Sequence, residues 1–345
     1  MKCLAEDTEN AVNARFLLRV CLIPLARKKK TFFQKLENMP VAILPTMVGA
    51  ATLSNVYLTL GYTWIRHITM IAAAIILAVY LVKIFGHNKT VLKEYSNTVP
   101  ASLYAGLTMI TMILGSYVFD FNAVIGKGIW FTGLILHAVH IIVFTYRNVI
   151  KGVNIDTFVP SWFVTYNGIM VSTVVGGVMN EPFISKIVVY YGIGVFAVII
   201  PFMIYRLAKH PIKNPMYHTQ AIVLAPSSLC VVSYLNVIKE PNLILVSALY
   251  IAVLCALAFI IYKIPGFFSF EFNPGFAGLT FPMAIGIVAS IKMSAFVTSL
   301  GYETIGNIIK QISGLQIYMT TAIISFVLYN FARMLVKSYK TADVK

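Results

Sequence analysis

Two histidines three residues apart are the ionisable side chains that fall well inside an apolar segment of this sequence. On a helix, His137 and His140 would share a face. An imidazole can bind a metal, transfer or sense protons, or hydrogen-bond neutrally between helices. No further histidine lies at that depth to complete a ligand set, so we predict no metal site. Neutral interhelical hydrogen bonding is the favoured interpretation, with pH sensing as the alternative.

A dipeptide near the end of the sequence, Phe281-Pro282, is the second candidate. Proline interrupts the hydrogen bonding of a helix and predicts a bend there. The segment around it is rich in small residues, and a bulky ring at such a bend can close a narrow pore. The alternative is an ordinary core aromatic, which the spacing alone favours in a chain with 23 phenylalanines.

The acidic residues are informative by their positions. The 12 Asp and Glu are predicted to lie in loops, termini or the edges of apolar segments. Proton and cation pathways usually depend on carboxylates at membrane depth, so a pathway here suits an anion or a neutral solute better. Lys and Arg are also expected to avoid the membrane interior. No nucleophile motif, carboxylate pair or phosphate-binding loop occurs, so we predict that the protein is not an enzyme.

The composition indicates that these residues are carried by membrane-spanning helices. Hydrophobic residues make up 59% of the chain and charged residues 11%, whereas a soluble domain carries about 25% charged residues. A helix needs about 20 apolar residues to cross a bilayer. We therefore predict an all-α polytopic membrane protein with ten spans, at residues 41–60, 68–86, 99–119, 127–146, 161–179, 186–206, 219–236, 241–262, 274–297 and 313–335.

Prolines recur in the odd-numbered spans, whereas the even-numbered spans are predicted to be regular, more uniformly apolar and in contact with lipid. Pro40, Pro100 and Pro160 are evenly separated and predict a weak internal repeat of five helical hairpins. Small residues in the odd spans are consistent with close helix packing or with a pore, and the sequence leaves both open. The predicted helix kinks are at Pro45, Pro100, Pro160, Pro226 and Pro282.

The net charge of +15 reflects topology rather than nucleic-acid binding. If the N-terminus is inside, only six of the 27 Lys and Arg residues face outside, which places both termini in the cytoplasm of a plasma-membrane protein. We divide the chain into a basic N-terminal segment (1–34) with an in-plane amphipathic helix over 12–26, a transmembrane domain (35–336) and a short basic tail (337–345). The six outside residues are Arg66, Lys127, Lys186, Lys239, Lys292 and Lys310.

Several segments resemble the tellurite-resistance/dicarboxylate transporter family, which includes the slow-type anion channels of plant guard cells. Their order and spacing cover about residues 35–335. The matching stretches are Met39-Pro40 through Pro45 and Gly49, Ser96 to Leu103 with Thr98-Val99-Pro100, Pro160-Ser161-Trp162-Phe163, Leu224-Ala225-Pro226 with Cys230, Ser233, Tyr234 and Leu235, and Phe272-Asn273-Pro274-Gly275-Phe276 through Thr280-Phe281-Pro282.

The resemblance implies ten helices in five quasi-repeated hairpins, with the odd helices as an inner ring around a pore and the even helices as an outer ring. It further implies a homotrimer with one pore in each subunit, no prosthetic group, and occlusion of the pore by Phe281. The family is associated with tellurite, C4-dicarboxylates, sulfite and halide or nitrate, so membership does not select the substrate.

Two functions remain open at this stage. The first is an anion-selective channel or channel-like exporter for small inorganic or carboxylate anions, gated at Phe281. The second is a proton-linked C4-dicarboxylate (or tellurite or sulfite) secondary transporter in which His137 and His140 titrate.

Overall fold

The computed structural model describes residues 32–344, and every regular element in that range is helical. The in-plane helix predicted over 12–26 lies outside the described residues. The α-helices are α1 (Phe32–Leu36), α2 (Ile43–Thr59), α3 (Thr63–Gly86), α4 (Asn88–Tyr95), α5 (Thr98–Leu103), α6 (Ala105–Phe119), α7 (Ala123–Thr145), α8 (Trp162–Tyr166), α9 (Val171–Val175), α10 (Pro182–Lys209), α11 (Leu224–Val237), α12 (Leu243–Phe267), α13 (Thr280–Ser299) and α14 (Glu303–Val344). A π-helical turn covers Tyr146–Ile150, and 3-10 helices cover Gly168–Met170, Gly176–Met179, Asn214–Val223 and Pro274–Leu279.

Within residues 32–344, eight helical segments are long and apolar enough to cross a membrane, which confirms the all-helical, multi-pass class. The other two predicted spans correspond to α2, of 17 residues, and to the interrupted segment 162–179. The count of ten therefore stays a prediction. The eight are Thr63–Gly86, Thr98–Phe119, Ala123–Ile150, Pro182–Lys209, Met216–Val237, Leu243–Phe267, Pro274–Ser299 and Glu303–Lys337.

Burial divides these spans into two sets. In Thr98–Phe119, Met216–Val237 and Pro274–Ser299, 61%, 83% and 72% of the apolar stretch is buried within the protein. The corresponding share in the other five spans is only 22–33%. Helix α2 belongs to the buried set along most of its length. The first, third, seventh and ninth predicted spans are thus mostly buried, whereas the second, fourth, sixth, eighth and tenth are mostly exposed.

The buried helices contact one another in a closed order. Helix α2 packs against α6, α6 against α9, α9 against α11, and α11 against α13, which returns to α2. The peripheral helices pack outside this ring, each beside its neighbour in sequence, as α3 does against α2, α7 against α6 and α14 against α13.

Short connections at residues 60–62, 120–122, 180–181, 238–242 and 300–302 define what we call the turn face; the opposite side is the terminal face. Gly61, Asn180 and Gly301 adopt the left-handed backbone that such turns require, with φ of 91°, 52° and 88°. Because Gly301 ends its turn, α14 begins at Glu303, ten residues before the predicted start at 313.

The prolines of the odd spans lie at helix starts rather than at bends within a continuous helix. Pro45, Pro100, Pro226 and Pro282 are each the third residue of an α-helix, and Pro160 precedes α8 by two residues. The backbone N–H of the first turn has no intrahelical acceptor, so proline is tolerated there. These prolines therefore mark where a turn or 3-10 helix becomes α-helical.

Two peripheral helices also contain proline, so proline alone does not distinguish the inner helices from the outer ones. The prolines inside continuous α-helices are Pro201 in α10 and Pro265 in α12, both peripheral. Each lacks an N–H and leaves a carbonyl four residues earlier without its helical donor. Membrane helices tolerate this because local adjustments and neighbouring groups satisfy the freed carbonyl.

The fifth predicted span is not the continuous helix expected over 161–179. It alternates between α8, a 3-10 turn, α9 and a second 3-10 turn. Its hydroxyl side chains bond to nearby carbonyls, as Ser172 does to Ile169 (2.7 Å) and Thr173 to Met170 (2.7 Å). Such bonds compete with regular helix geometry. Most of the segment is nevertheless buried among the inner helices, apart from Gly177 and Val178 near its end.

Candidate functional site

Phe281 lies between two cavities inside the ring of buried helices. Its side chain is 5% exposed and forms part of the lining of both. The turn-side cavity has a volume of about 290 Å³. The terminal-side cavity, which also touches Pro45 and Pro282 at the helix starts, has a volume of about 20 Å³. Phe281 thus borders both a wide space and a very narrow one.

The turn-side cavity is lined by four of the five inner helices. On α2 the lining residues recur at helical spacing, so one face of that helix follows the cavity wall. Besides Phe281, the lining comprises Thr52, Asn55, Val56, Leu58, Thr59, Arg66, Ile113, Ser116, Val171, Val174, Val175, Val288, Ile291 and Lys292.

Close backbone contacts fix the helices around Phe281. A Cβ atom on Gly49 would lie 2.6 Å from the Phe281 backbone nitrogen and 2.7 Å from the Thr280 carbonyl carbon. A Cβ on Gly106 would lie 2.9 Å from the Pro45 nitrogen. Only glycine allows backbones this near one another. The position of Phe281 thus depends on glycines of α2 and α6.

Two cations line the turn-side cavity. Arg66 is neutralised by Asp120 at 2.7 Å and donates to the Asn55 side-chain oxygen at 3.1 Å. Lys292 lies inside α13 and forms no hydrogen bond or ion pair with any residue of the described range. Lys292 is one of the six residues predicted to face outside, and it lies in the lining of this cavity.

The two histidines connect helices instead of lining either cavity. One ring nitrogen of His137 lies 2.7 Å from the Thr108 hydroxyl, and the other donates to the Thr165 carbonyl at 2.9 Å. His140 contacts the Tyr95 hydroxyl at 2.8 Å and the Thr165 hydroxyl at 3.1 Å. All four ring nitrogens thus have partners on other elements. The favoured interpretation, hydrogen bonding between helices, agrees with these contacts.

A buried ion pair near the terminal face was not predicted from the sequence. Lys83 is fully buried, 2.8 and 2.9 Å from the two carboxylate oxygens of Glu94. It also donates to the Met39 carbonyl at 2.8 Å, and Tyr104 donates to Glu94 at 2.5 Å. The pair joins α3 and α4 to the chain before α2. A lysine ending an apolar span normally extends to water, so no pattern signals this burial.

Groups able to hold a metal are absent from the described part of the chain: no three of its His, Cys, Asp and Glu residues lie close enough to share an ion. A bundle of membrane-length helices around a closed ring of buried ones defines a polytopic α-helical membrane protein. No curated protein matches the sequence.

The sequence model of one family, described as voltage-dependent anion channel, matches residues 38–335. The chain belongs to this family of anion channels and transporters, and its members are not enzymes. This result confirms the relationship to the tellurite-resistance/dicarboxylate transporters and slow-type anion channels that the sequence motifs indicated.

Proposed function

We propose that the protein is an anion-selective channel or channel-like exporter. The pathway runs from the terminal-side cavity past Phe281 to the turn-side cavity, through the ring of α2, α6, α9, α11 and α13. The observation that carries the proposal is the position of the Phe281 ring between two cavities that it lines on both sides.

Phe281 acts as a gate in this proposal. An apolar constriction excludes water and ions because an ion there has no replacement for its hydration shell. The narrow terminal-side cavity, about 20 Å³, adds to the closure. Rotation of one aromatic side chain toward the turn-side cavity would join the two spaces.

The charges around the pathway favour anions. Of the residues that line either cavity in the described range, none is Asp or Glu, whereas Arg66 and Lys292 are cationic. A cavity lined by one sign of charge raises the local concentration of the opposite ion. Small inorganic or carboxylate anions are therefore the proposed solutes.

Orientation determines the direction of flow. With both termini in the cytoplasm of a plasma membrane, the turn face is extracellular. A monovalent anion leaving a cell at −100 mV gains about 2.3 kcal/mol, so an open pathway serves mainly for efflux. We also infer a homotrimer with one pathway in each subunit, with its basic cytoplasmic side against anionic lipid.

Replacing the gate tests the proposal. Phe281→Ala removes the ring between the cavities and is expected to raise anion current at least tenfold. The measurement is current through purified protein in a planar bilayer under a KCl gradient, where the reversal potential should approach that of chloride.

The matched control is Phe163→Ala in α8. Phe163 is as deeply buried as Phe281 but lines neither cavity. Its replacement should leave the current low. Equal currents from folded Phe281→Ala and wild-type protein would remove Phe281 as the gate, and a reversal near the potassium potential would reject anion selectivity.

The alternative is a proton-linked C4-dicarboxylate (or tellurite or sulfite) transporter that uses His137 and His140. It predicts saturable, pH-dependent uptake into vesicles that is lost when both become Gln. Both histidines are engaged by protein partners and lie away from the cavity linings, and this favours the channel.

A further inference from the structure

We propose that Lys292, together with Asn55 and Ser116, forms a binding site for a small inorganic anion in the turn-side cavity. All three residues line that cavity. The inference rests on the proposed function and adds to it a specific binding site for the permeating anion on the turn side of Phe281.

The position of Lys292 on α13 aligns it with Phe281. Eleven residues separate the two, which corresponds to about 16 Å along the axis and a rotation of about 20° from the same face. Val288 lies between them on that face and also lines the cavity. An anion that has passed the ring therefore moves along one helix face toward the Lys292 ammonium.

Two other polar side chains of the same lining can donate hydrogen bonds. The side-chain oxygen of Asn55 is occupied by the Arg66 guanidinium at 3.1 Å, which leaves the Asn55 amide N–H groups available. The Ser116 hydroxyl can donate to an anion as well. An ammonium, an amide and a hydroxyl together match the needs of an anion and offer little to a cation.

The charge balance of the cavity depends on Lys292. The positive charge of Arg66 is offset by Asp120, whose carboxylate lies 2.7 Å from it. Lys292 has no such partner among residues 32–344. The uncompensated charge in the cavity is thus that of a single lysine.

The chemistry of the donors indicates the class of anion. An ammonium acts as a compact point charge without the planar fork that lets arginine hold an oxyanion in two places. The site is therefore expected to accept halides and small oxyanions such as nitrate with little discrimination by shape.

Conductance at two salt concentrations tests the site. In the Phe281→Ala background, Lys292→Gln should lower single-channel conductance about twofold at about 0.01 M KCl, where the screening length is about 30 Å. At about 1 M KCl, with a screening length of about 3 Å, the two proteins should conduct alike. Lys292→Arg should retain the low-salt conductance.

The control is Lys310→Gln, which removes an exposed charge of α14 outside the cavity and should change neither value. An unchanged low-salt conductance in Lys292→Gln would overturn the proposal. So would an equal loss at both concentrations, since that points to altered pore shape rather than to charge.

A second readout does not require current. Replacing gluconate by chloride at constant ionic strength should raise the melting temperature of the wild type but not of Lys292→Gln. Chloride stabilisation that is equal in both proteins rejects the site. If the chloride effect depends on Lys292 while Phe281→Ala carries no anion current, the proposed channel function fails and the binding site stands.

Discussion

Gly49 determines how closely α2 approaches α13 beside Phe281. Its missing side chain is replaced by the backbone of Thr280 and Phe281. A residue with no chemistry of its own thereby positions a residue that lines both cavities.

Gly49→Ala is expected to destabilise the protein by about 1–3 kcal/mol, because the added methyl group forces the two helix backbones apart. Thermal unfolding in detergent measures this. The control is Gly128→Ala in α7, where a Cβ meets no atom within 4 Å and should be neutral or slightly stabilising. Similar melting temperatures for both variants would contradict the close approach.

Single residues were predictable from the sequence to different degrees. Phe281-Pro282 was recognisable because proline predicts an interrupted helix and the ring is large, although Pro282 lies at the start of α13 rather than at a bend. The histidines were identified as a pair, but their partners Thr108, Thr165 and Tyr95 come from three other segments. Lys292 was counted only as a topological charge, since hydropathy cannot distinguish a helix face that borders a cavity from one that borders lipid.

The Lys83–Glu94 pair joins elements that the hydropathy pattern treats as separate. It connects the end of α3 to α4, a helix that was expected to be loop. The lysine side chain is completely buried, whereas that of glutamate is 26% exposed. Because of this difference in exposure, removing Glu94 and removing Lys83 should cost different amounts of stability.

Glu94→Leu is expected to cost about 3 kcal/mol, because it leaves the Lys83 ammonium buried without an anion. Lys83→Met should cost less, since Glu94 still reaches water, and the double variant should be more stable than Glu94→Leu alone. Melting temperatures of the three proteins check the order.

The exposed pair Lys213–Asp156 provides the comparison, with side chains 69% and 58% exposed. Lys213→Met should change stability by less than about 1 kcal/mol. If Lys213→Met and Glu94→Leu have similar effects, the buried pair does not have the structural role given to it.

Long helices were the most predictable elements, because an apolar run of sufficient length has few other conformations in a bilayer. The irregular segment 162–179 was not predictable in detail. Its breaks depend on side chains of other helices, such as the His137 ring that donates to the Thr165 carbonyl. The observed helix ends differ from the predicted ones where a turn residue such as Gly301 sets the boundary.

At the scale of the whole molecule, the basic residues are concentrated on the terminal face and the short connections on the other. The proposed orientation, and with it the proposed direction of anion flow, is based on this division. Small residues in the odd spans predicted that these helices pack closely, and the structure shows them as a closed ring. Hydropathy alone could not distinguish a pore from close packing.

Cysteine labelling tests the orientation. In a background with Cys3, Cys21, Cys230 and Cys255 replaced by serine, Lys239→Cys is on the turn face and Lys151→Cys on the terminal face, both exposed. A membrane-impermeant maleimide should label the first in intact cells and the second only after permeabilisation. The reverse pattern would invert the topology and the inferred direction of flux.

The unequal cavities also have an electrical consequence. The turn-side cavity, about 290 Å³, has room for on the order of ten water molecules, and the terminal-side cavity, about 20 Å³, for about one. A hydrated cavity conducts ions, whereas an aromatic ring does not. The turn-side cavity therefore acts as a small resistance in series with the large resistance of the narrow segment at Phe281. Most of the transmembrane voltage would then fall across the short segment at Phe281 rather than across the whole bilayer.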